Sequence, residues 1–233
     1  MTSAAKPIEV VIGRDEGAGE ARGESVPALW CSPAGASTCI VLGHGAGAGM
    51  EHPFMASAAD GLAARGIATL RYQFPYMASG SKRPDVPKVA HATVRAAVAE
   101  AARRGPGMAL VAGGKSFGGR MSSQAQAAAT MPGVRGLAFL GFPLHPAGRP
   151  SIERAAHLDA VDVPMLFLQG TRDELAELSL LQPVVARLGT RATLRLVDDA
   201  DHAFHVRARS GRNDAQVLDA MLDTVAEWTR RLG

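Results

Sequence analysis

The chain has 233 residues, of which 47% are hydrophobic and 20% charged, and its formal net charge is +3. This balance is typical of a soluble globular protein with a sizeable core. Arginines are interleaved with acidic residues, and the longest basic clusters are pairs such as Arg103-Arg104. Because no basic stripe or run is present, the composition argues against a nucleic-acid partner.

The sequence also indicates the cellular compartment and the number of domains. Residues 1–11 hold no apolar stretch of signal-peptide length, and no window approaches 18 uninterrupted apolar residues, so we expect a cytoplasmic protein without a membrane partner. Cys31 and Cys39 flank a turn-like stretch and could pair across a hairpin in a secreted protein, but we expect two buried thiols. Without internal repeats or linkers, residues 1–233 are predicted to form one domain.

Short apolar runs recur along the chain and are predicted to be strands. They are residues 8–12, 26–31, 39–42, 67–72, 108–112, 137–140, 165–168 and 193–197. The first two surround a charged, glycine-rich stretch. The later runs lack strict alternation, which is typical of strands buried on both faces of a parallel sheet.

Helical patterns fill the gaps between these runs. Apolar residues recur at helical spacing after Pro53 and after Pro87, and a helix of small residues begins near Phe117. The last helix has Asn213 as its predicted cap, with Gln216 three residues later. Strands that alternate with helices predict an α/β fold with a parallel sheet, and ligands then bind outside the carboxyl ends of the strands.

The clearest motif follows the predicted strand at 108–112. Residues 114–118 satisfy G-x-S-x-G with Ser116 at the centre, in the strand-turn-helix setting that exposes a nucleophilic serine. Gly114-Lys115-Ser116 also looks like the end of a phosphate-binding P-loop. That motif needs a glycine where Ala109 stands and a loop where the apolar strand lies, so we favour the nucleophile.

Two later loops carry the groups that a serine nucleophile needs. Asp173 follows the run at 165–168 and His202 follows the run at 193–197, which gives the order Ser, Asp, His. Imidazole accepts the serine proton, and the carboxylate orients the imidazole. His205 is the competing base. Asp199 and Asp201 are the competing acids, but they are so near His202 in sequence that the required geometry is rare.

The glycine-rich turn after the run at 39–42 predicts the second donor of an oxyanion hole. We assign the backbone N–H groups of Ala46 and Phe117, with Gly47 as the alternative to Ala46.

The same turn permits a different interpretation. Gly43, Gly45 and Ala48 match the relaxed dinucleotide fingerprint, although a lone match is weak. No acidic residue ends the following strand, but Arg71 could take a 2′-phosphate there. An NADP-binding reductase therefore stays open as the less favoured alternative.

These four motifs together resemble the α/β-hydrolase superfamily, from about residue 8 to the end. The chain also resembles a small dienelactone-hydrolase-like branch of this superfamily, in residues 44–50, 114–119 and 141–150 continuing to 170–173. That branch also includes the hydrolase-like domain of a chromatin-complex subunit. The resemblance implies a mostly parallel eight-stranded sheet flanked by helices, and it supports Ser116, Asp173 and His202. Lys115 departs from the histidine or aspartate often seen before the serine.

Only about 24 residues separate the runs at 137–140 and 165–168, so we expect no large cap domain. Residues 73–87 and 142–160 are expected to wall the substrate pocket, with His44, Tyr76, Phe142 and His145 as candidate pocket residues. An equally weighted alternative is that the aromatic side chains of these loops only pack the loops down.

The sequence thus predicts a serine hydrolase that cleaves a small carboxylic ester or thioester through an acyl-enzyme, without metal or cofactor. The alternative from another class is a non-catalytic, hydrolase-like interaction module. A scaffold has no need of an intact Ser, His and Asp, which favours the enzyme.

Overall fold

The computed structural model describes residues 4–13 and 24–232, and the charged, glycine-rich stretch predicted between the first two strands falls mostly on 14–23, outside the described residues. Eight strands lie close to the predicted runs. They are β1 Lys6–Ile12, β2 Glu24–Cys31, β3 Thr38–Gly43, β4 Ala68–Tyr72, β5 Ala109–Lys115, β6 Val134–Leu140, β7 Met165–Gly170 and β8 Ala192–Val197.

The eight strands form one sheet in the order β1-β2-β4-β3-β5-β6-β7-β8. The pairs β1/β2 and β2/β4 are antiparallel, and every other pair is parallel. Every residue of β4 and of β7 is buried, as expected for strands covered by helices on both faces. The predicted fold class, a single-domain, mostly parallel eight-stranded α/β sheet, is confirmed.

Within the described part of the chain, six α-helices connect or flank the strands. They are α1 Pro53–Ala64, α2 Pro75–Ala78, α3 Pro87–Arg104, α4 Phe117–Ala128, α5 Leu178–Leu188 and α6 Asp214–Thr229. Three of them begin with proline, whose fixed φ suits the first turn and whose missing N–H costs nothing there. Asn213 and Gln216 form the predicted capping box at the start of α6.

Two apolar layers hold the sheet, one on each face. Helices α3, α4 and α5 cover one face, where the core includes Val94, Met121 and Leu181, and α1 and α6 cover the other, where it includes Met55 and Met221. The 24-residue segment between β6 and β7 contains one 3₁₀ helix of eight residues, Glu153–Ala160, in place of a cap domain.

Cys31 and Cys39 are buried on β2 and β3, two strands separated by β4, and no disulfide joins them. Burial raises the pKa of the Cys39 thiol to about 12. The prediction of two buried thiols is therefore confirmed. Among the helices that the structure describes, none has the length and apolar character needed to cross a membrane.

The strand order marks the place where a site is expected. From β3 the chain moves to β4 on one side, and from β4 it crosses back to β5 on the other side of β3. In open α/β sheets a crevice forms at such a switch point, beyond the carboxyl ends of the strands. The loops that follow β3 and β5 therefore face the same crevice.

Candidate active site

Ser116 stands at the turn between β5 and α4, and its backbone is strained. It is the N-cap residue of α4 with φ 48° and ψ −109°, in a region that non-glycine residues rarely adopt. The turn lies against β3 so closely that a Cβ atom built on Gly114 would lie 2.0 Å from the Gly43 carbonyl oxygen. Glycine is therefore required two residues before the serine, as the G-x-S-x-G spacing predicts.

The three predicted residues from separate loops meet beside this turn. The Ser116 hydroxyl oxygen lies 2.8 Å from His202 Nε2, and His202 Nδ1 lies 2.7 Å from Asp173 Oδ2. A carboxylate accepts, so Nδ1 carries a proton and Nε2 is left to accept the serine hydroxyl proton. Asp173 has a fully buried side chain, whereas His202 is about one quarter exposed.

Asp173 is held by two further hydrogen bonds. Its Oδ1 accepts from the backbone N–H of Leu175 at 2.8 Å, and its Oδ2 also accepts from Gln169 Nε2. The other end of the Gln169 amide accepts from the Phe142 N–H at 2.9 Å. Gln169 thus fixes the acid relative to the loop after β6. Sequence reasoning missed it, although a polar residue in the apolar run of β7 is a signal, since a buried amide needs partners.

The competing bases and acids lie elsewhere. His205 is exposed and pairs with Asp214 at 2.9 Å, and this pairing raises the pKa of His205. Asp201 accepts from the N–H groups of Ala203 and His205 and so shapes the loop around His202. Asp199 pairs with Arg207. None of these three contacts involves Ser116.

The loop after β3 lies beside Ser116. Residues 45–48 form a β-turn closed by the Ala48 N–H to Gly45 O hydrogen bond of 3.3 Å, with Gly47 at φ +79°. A Cβ atom built on Gly45 would lie 3.9 Å from Ser116 Cβ, which sets the turn against the serine. Phe117 is the first residue of α4, where the N–H is not used within the helix.

The dinucleotide-binding interpretation does not fit the local structure. A pyrophosphate loop opens a helix directly, whereas α1 begins only at Pro53, after the turn at 45–48. Arg71 is 5% exposed, and its guanidinium donates to the Met50 carbonyl at 3.0 Å. It is thus buried in the fold rather than presented to a 2′-phosphate.

A cavity of about 300 Å³ lies beside Ser116 and His202. Its walls come from the turn after β3, the start of α1 and the loops after β5, β7 and β8. The remaining lining residues are Gly45, Ala46, Ala48, His52, Phe54, Met55, Lys115, Leu175 and Ala203. A larger groove of about 550 Å³ runs between α1 and α6, but Ser116 does not line it.

None of the four predicted pocket residues lines this cavity, and this prediction needs correction. His44 and His145 are fully buried and use both ring nitrogens. His44 Nδ1 donates to Gly45 O at 2.9 Å and Nε2 accepts from the Phe74 N–H at 3.0 Å. His145 bridges Pro146 O and the Glu177 N–H in the same way. Each histidine ties loops together, and burial lowers the pKa of His44 to about 4.

Tyr76 and Phe142 are buried in aromatic clusters instead. Tyr76 packs near the rings of His44, Phe74 and Phe117, with centroid separations of 5.9–6.4 Å. The ring of Phe142 contacts Phe139 and Phe167. The alternative weighed from the sequence, that loop aromatics pack the loops down, applies to both. Within residues 4–13 and 24–232, no group of three potential ligands could hold a metal ion.

Comparison with known proteins agrees with this architecture. A family model described as an alpha/beta hydrolase domain matches residues 36–230. Among solved structures, the chain is similar to a dienelactone hydrolase from Anabaena variabilis, with a TM-score of 0.77 and 18% identity over 99% of both chains.

Two further solved structures share the fold. A lidless α/β serine hydrolase from Xanthomonas campestris gives a TM-score of 0.69 and 22% identity, covering 97% of this chain and 95% of that one. The esterase domain of a Rhodothermus marinus protein gives a TM-score of 0.73 and 16% identity, covering 99% of this chain and 100% of that one. At these identities the structures show the fold alone, whereas the family model spans most of the chain. The chain therefore belongs to the α/β-hydrolase superfamily.

Proposed function

We propose that the protein is a serine hydrolase that cleaves a carboxylic ester or thioester through an acyl-enzyme on Ser116. The observation that carries this proposal is the continuous chain of contacts from Ser116 Oγ through both His202 nitrogens to Asp173, at 2.8 and 2.7 Å. These distances are within the range that proton transfer to a general base requires.

The chemistry follows from these contacts. His202 Nε2 takes the proton of Ser116 as Oγ attacks the carbonyl carbon, and Asp173 stabilises the imidazolium. The oxyanion of the tetrahedral intermediate accepts hydrogen bonds from the N–H groups of Ala46 and Phe117, or of Gly47 in place of Ala46. When the intermediate collapses, the alcohol or thiol leaves with the proton of His202. Water then attacks the acyl-enzyme by the same route and releases the acid.

The size and the lining of the cavity favour a substrate with a small, uncharged acyl or alcohol group. Its volume of about 300 Å³ is at the lower end of ligand cavities, and its walls are mostly apolar. We expect turnover of p-nitrophenyl acetate and butyrate, with kcat/KM about tenfold or more above that for the octanoate, because longer chains exceed the cavity.

A fluorophosphonate probe gives the second measurement. The probe should label Ser116, and labelling should abolish ester turnover in proportion to the labelled fraction. A chain that neither labels nor turns over any ester of the panel would contradict the proposal and favour the alternative of an interaction module.

The base is tested by two histidine variants. His202→Ala should lower kcat for p-nitrophenyl acetate by about 10³-fold or more, because the serine loses its proton acceptor. His205→Ala is the matched control, since it removes an exposed imidazole three residues away and should keep turnover within about twofold. Steady-state kinetics of both variants, with circular dichroism as a check of folding, decide the point. Equal losses in both variants would contradict the assignment of His202.

A further inference from the structure

Lys115, the residue before Ser116, directs its ammonium group at the loop that carries His202. Its Nζ donates to the backbone carbonyl oxygen of His202 at 2.5 Å. The rings of Phe54 and Phe204 flank the ammonium, with their centroids 6.0 and 5.2 Å from Nζ. The side chain therefore links the end of β5, next to Ser116, directly to the residue that supplies the base.

The ammonium and the imidazole share one small space. A Cβ atom built on Gly141 would lie 3.1 Å from Lys115 Nζ and 3.5 Å from His202 Nδ1. The carboxylates of Asp173 and Asp201 attract the ammonium from the loops after β7 and β8. Both groups therefore lie close to the same glycine.

Keeping the Lys115 ammonium charged in this buried position costs desolvation free energy. Burial lowers the pKa of Lys115 to about 8, although the two carboxylates raise it. An apolar side chain of similar length would fill the same volume without that desolvation cost. The contacts of Lys115 are thus better explained by what the ammonium holds in place than by packing alone.

We propose that Lys115 is a positioning residue, whose charged ammonium holds the His202 carbonyl and thereby keeps the imidazole between Ser116 Oγ and Asp173. This inference rests on the proposed function. Removal of the charge loosens the His202 loop, so kcat falls. KM changes little when the replacement keeps the unbranched apolar stem with which Lys115 lines the cavity.

The charge state of Lys115 then predicts an alkaline limb in the pH profile, which is a decrease of kcat as the pH rises. Because the lysine loses its proton near pH 8, the charge-assisted bond to His202 O weakens as the pH rises through that value. Asp173, Asp201 and His202 face the ammonium from the loops after β7 and β8. The uncharged Phe54 of α1 and Gly141 of the loop after β6 also lie beside the ammonium.

The experiment measures kcat and KM for p-nitrophenyl acetate from pH 6 to pH 10, with spontaneous hydrolysis subtracted. In the unaltered chain, kcat should decrease with a midpoint near pH 8. Lys115→Met should lower kcat at pH 7 by about 10- to 100-fold, with little change in KM, and should lack the alkaline decrease. Lys82→Met, which removes an exposed lysine, is the matched control and should keep the profile of the unaltered chain.

Lys115→Gln gives a second variant of similar length that donates a hydrogen bond without charge. It should also lack the alkaline limb, with kcat between those of the unaltered chain and Lys115→Met. An alkaline decrease that persists in both variants, or a kcat that neither variant lowers, overturns the role of Lys115. An unaltered chain that reacts with neither the ester nor the fluorophosphonate probe overturns the proposed function itself.

Discussion

Replacement of Ser116 with alanine is expected to lower kcat/KM for p-nitrophenyl acetate by about 10⁴-fold or more, which is the largest change in activity that a single substitution should cause. The hydroxyl that lies 2.8 Å from His202 Nε2 is the only group removed, so no acyl-enzyme can form. Alanine fits the turn sterically, although φ 48° remains strained for it. The measurement is steady-state turnover together with fluorophosphonate labelling, and both should disappear.

Another serine, in the helix that follows Ser116, provides the matched control. Ser123 Oγ lies 2.7 Å from His157 Nε2, a separation like that at Ser116, and also donates to Arg120 O at 2.9 Å. No carboxylate contacts His157 in the described chain, and burial is the main reason that its pKa is lowered to about 4. Ser123→Ala should therefore keep turnover. Full turnover in Ser116→Ala, or loss only in Ser123→Ala, would contradict the assigned nucleophile.

The sheet could be predicted because strands that are buried on both faces appear in the sequence as short, continuous apolar runs. In β7, covered by helices on both sides, the run at 165–168 contains only apolar residues, and the strand extends it by Gln169 and Gly170. The prediction of the helices was less complete. Helix α5 contains Pro183 in its interior, which usually ends a helix, and α2 spans only four residues, so neither was predicted.

The candidate triad was predictable for a topological reason. Parallel strands end at one edge of the sheet, so the loops after β5, β7 and β8 must converge, and residues 116, 173 and 202 lie on these loops. Their catalytic roles stay a proposal that the variants above test.

The pocket residues were not predictable in the same way. Loops have no periodicity that tells which side chains face the site. His44 is adjacent to the oxyanion turn in sequence, yet its ring points into the protein, where two backbone groups occupy both nitrogens. Conversely, Phe54 and Met55 line the cavity from the start of α1, where the sequence pattern predicted a helix and nothing about the site.

A large effect on stability is expected at a glycine of α4. A Cβ atom built on Gly118 would lie 2.2 Å from the carbonyl oxygen and 2.3 Å from the carbonyl carbon of Gly43, both of which are backbone atoms of β3. Alanine is favoured over glycine within a helix by about 1 kcal/mol, but the overlap with backbone that cannot rotate away outweighs this gain. Gly118→Ala should lower the free energy of unfolding by about 3 kcal/mol, measured by urea denaturation followed by circular dichroism.

Gly61 in α1 is the matched control because it is also a helical glycine with one close neighbour. A Cβ atom there would lie 2.4 Å from Leu222 Cδ1, the end of a side chain that can turn, so Gly61→Ala should stay within about 1 kcal/mol of the unaltered chain. Similar losses in both variants would contradict the argument from backbone overlap. The contact at Gly118 also sets the distance between the Ser116 turn and the loop after β3. Gly118→Ala should therefore reduce ester turnover even at urea concentrations where the variant remains folded, whereas Gly61→Ala should not.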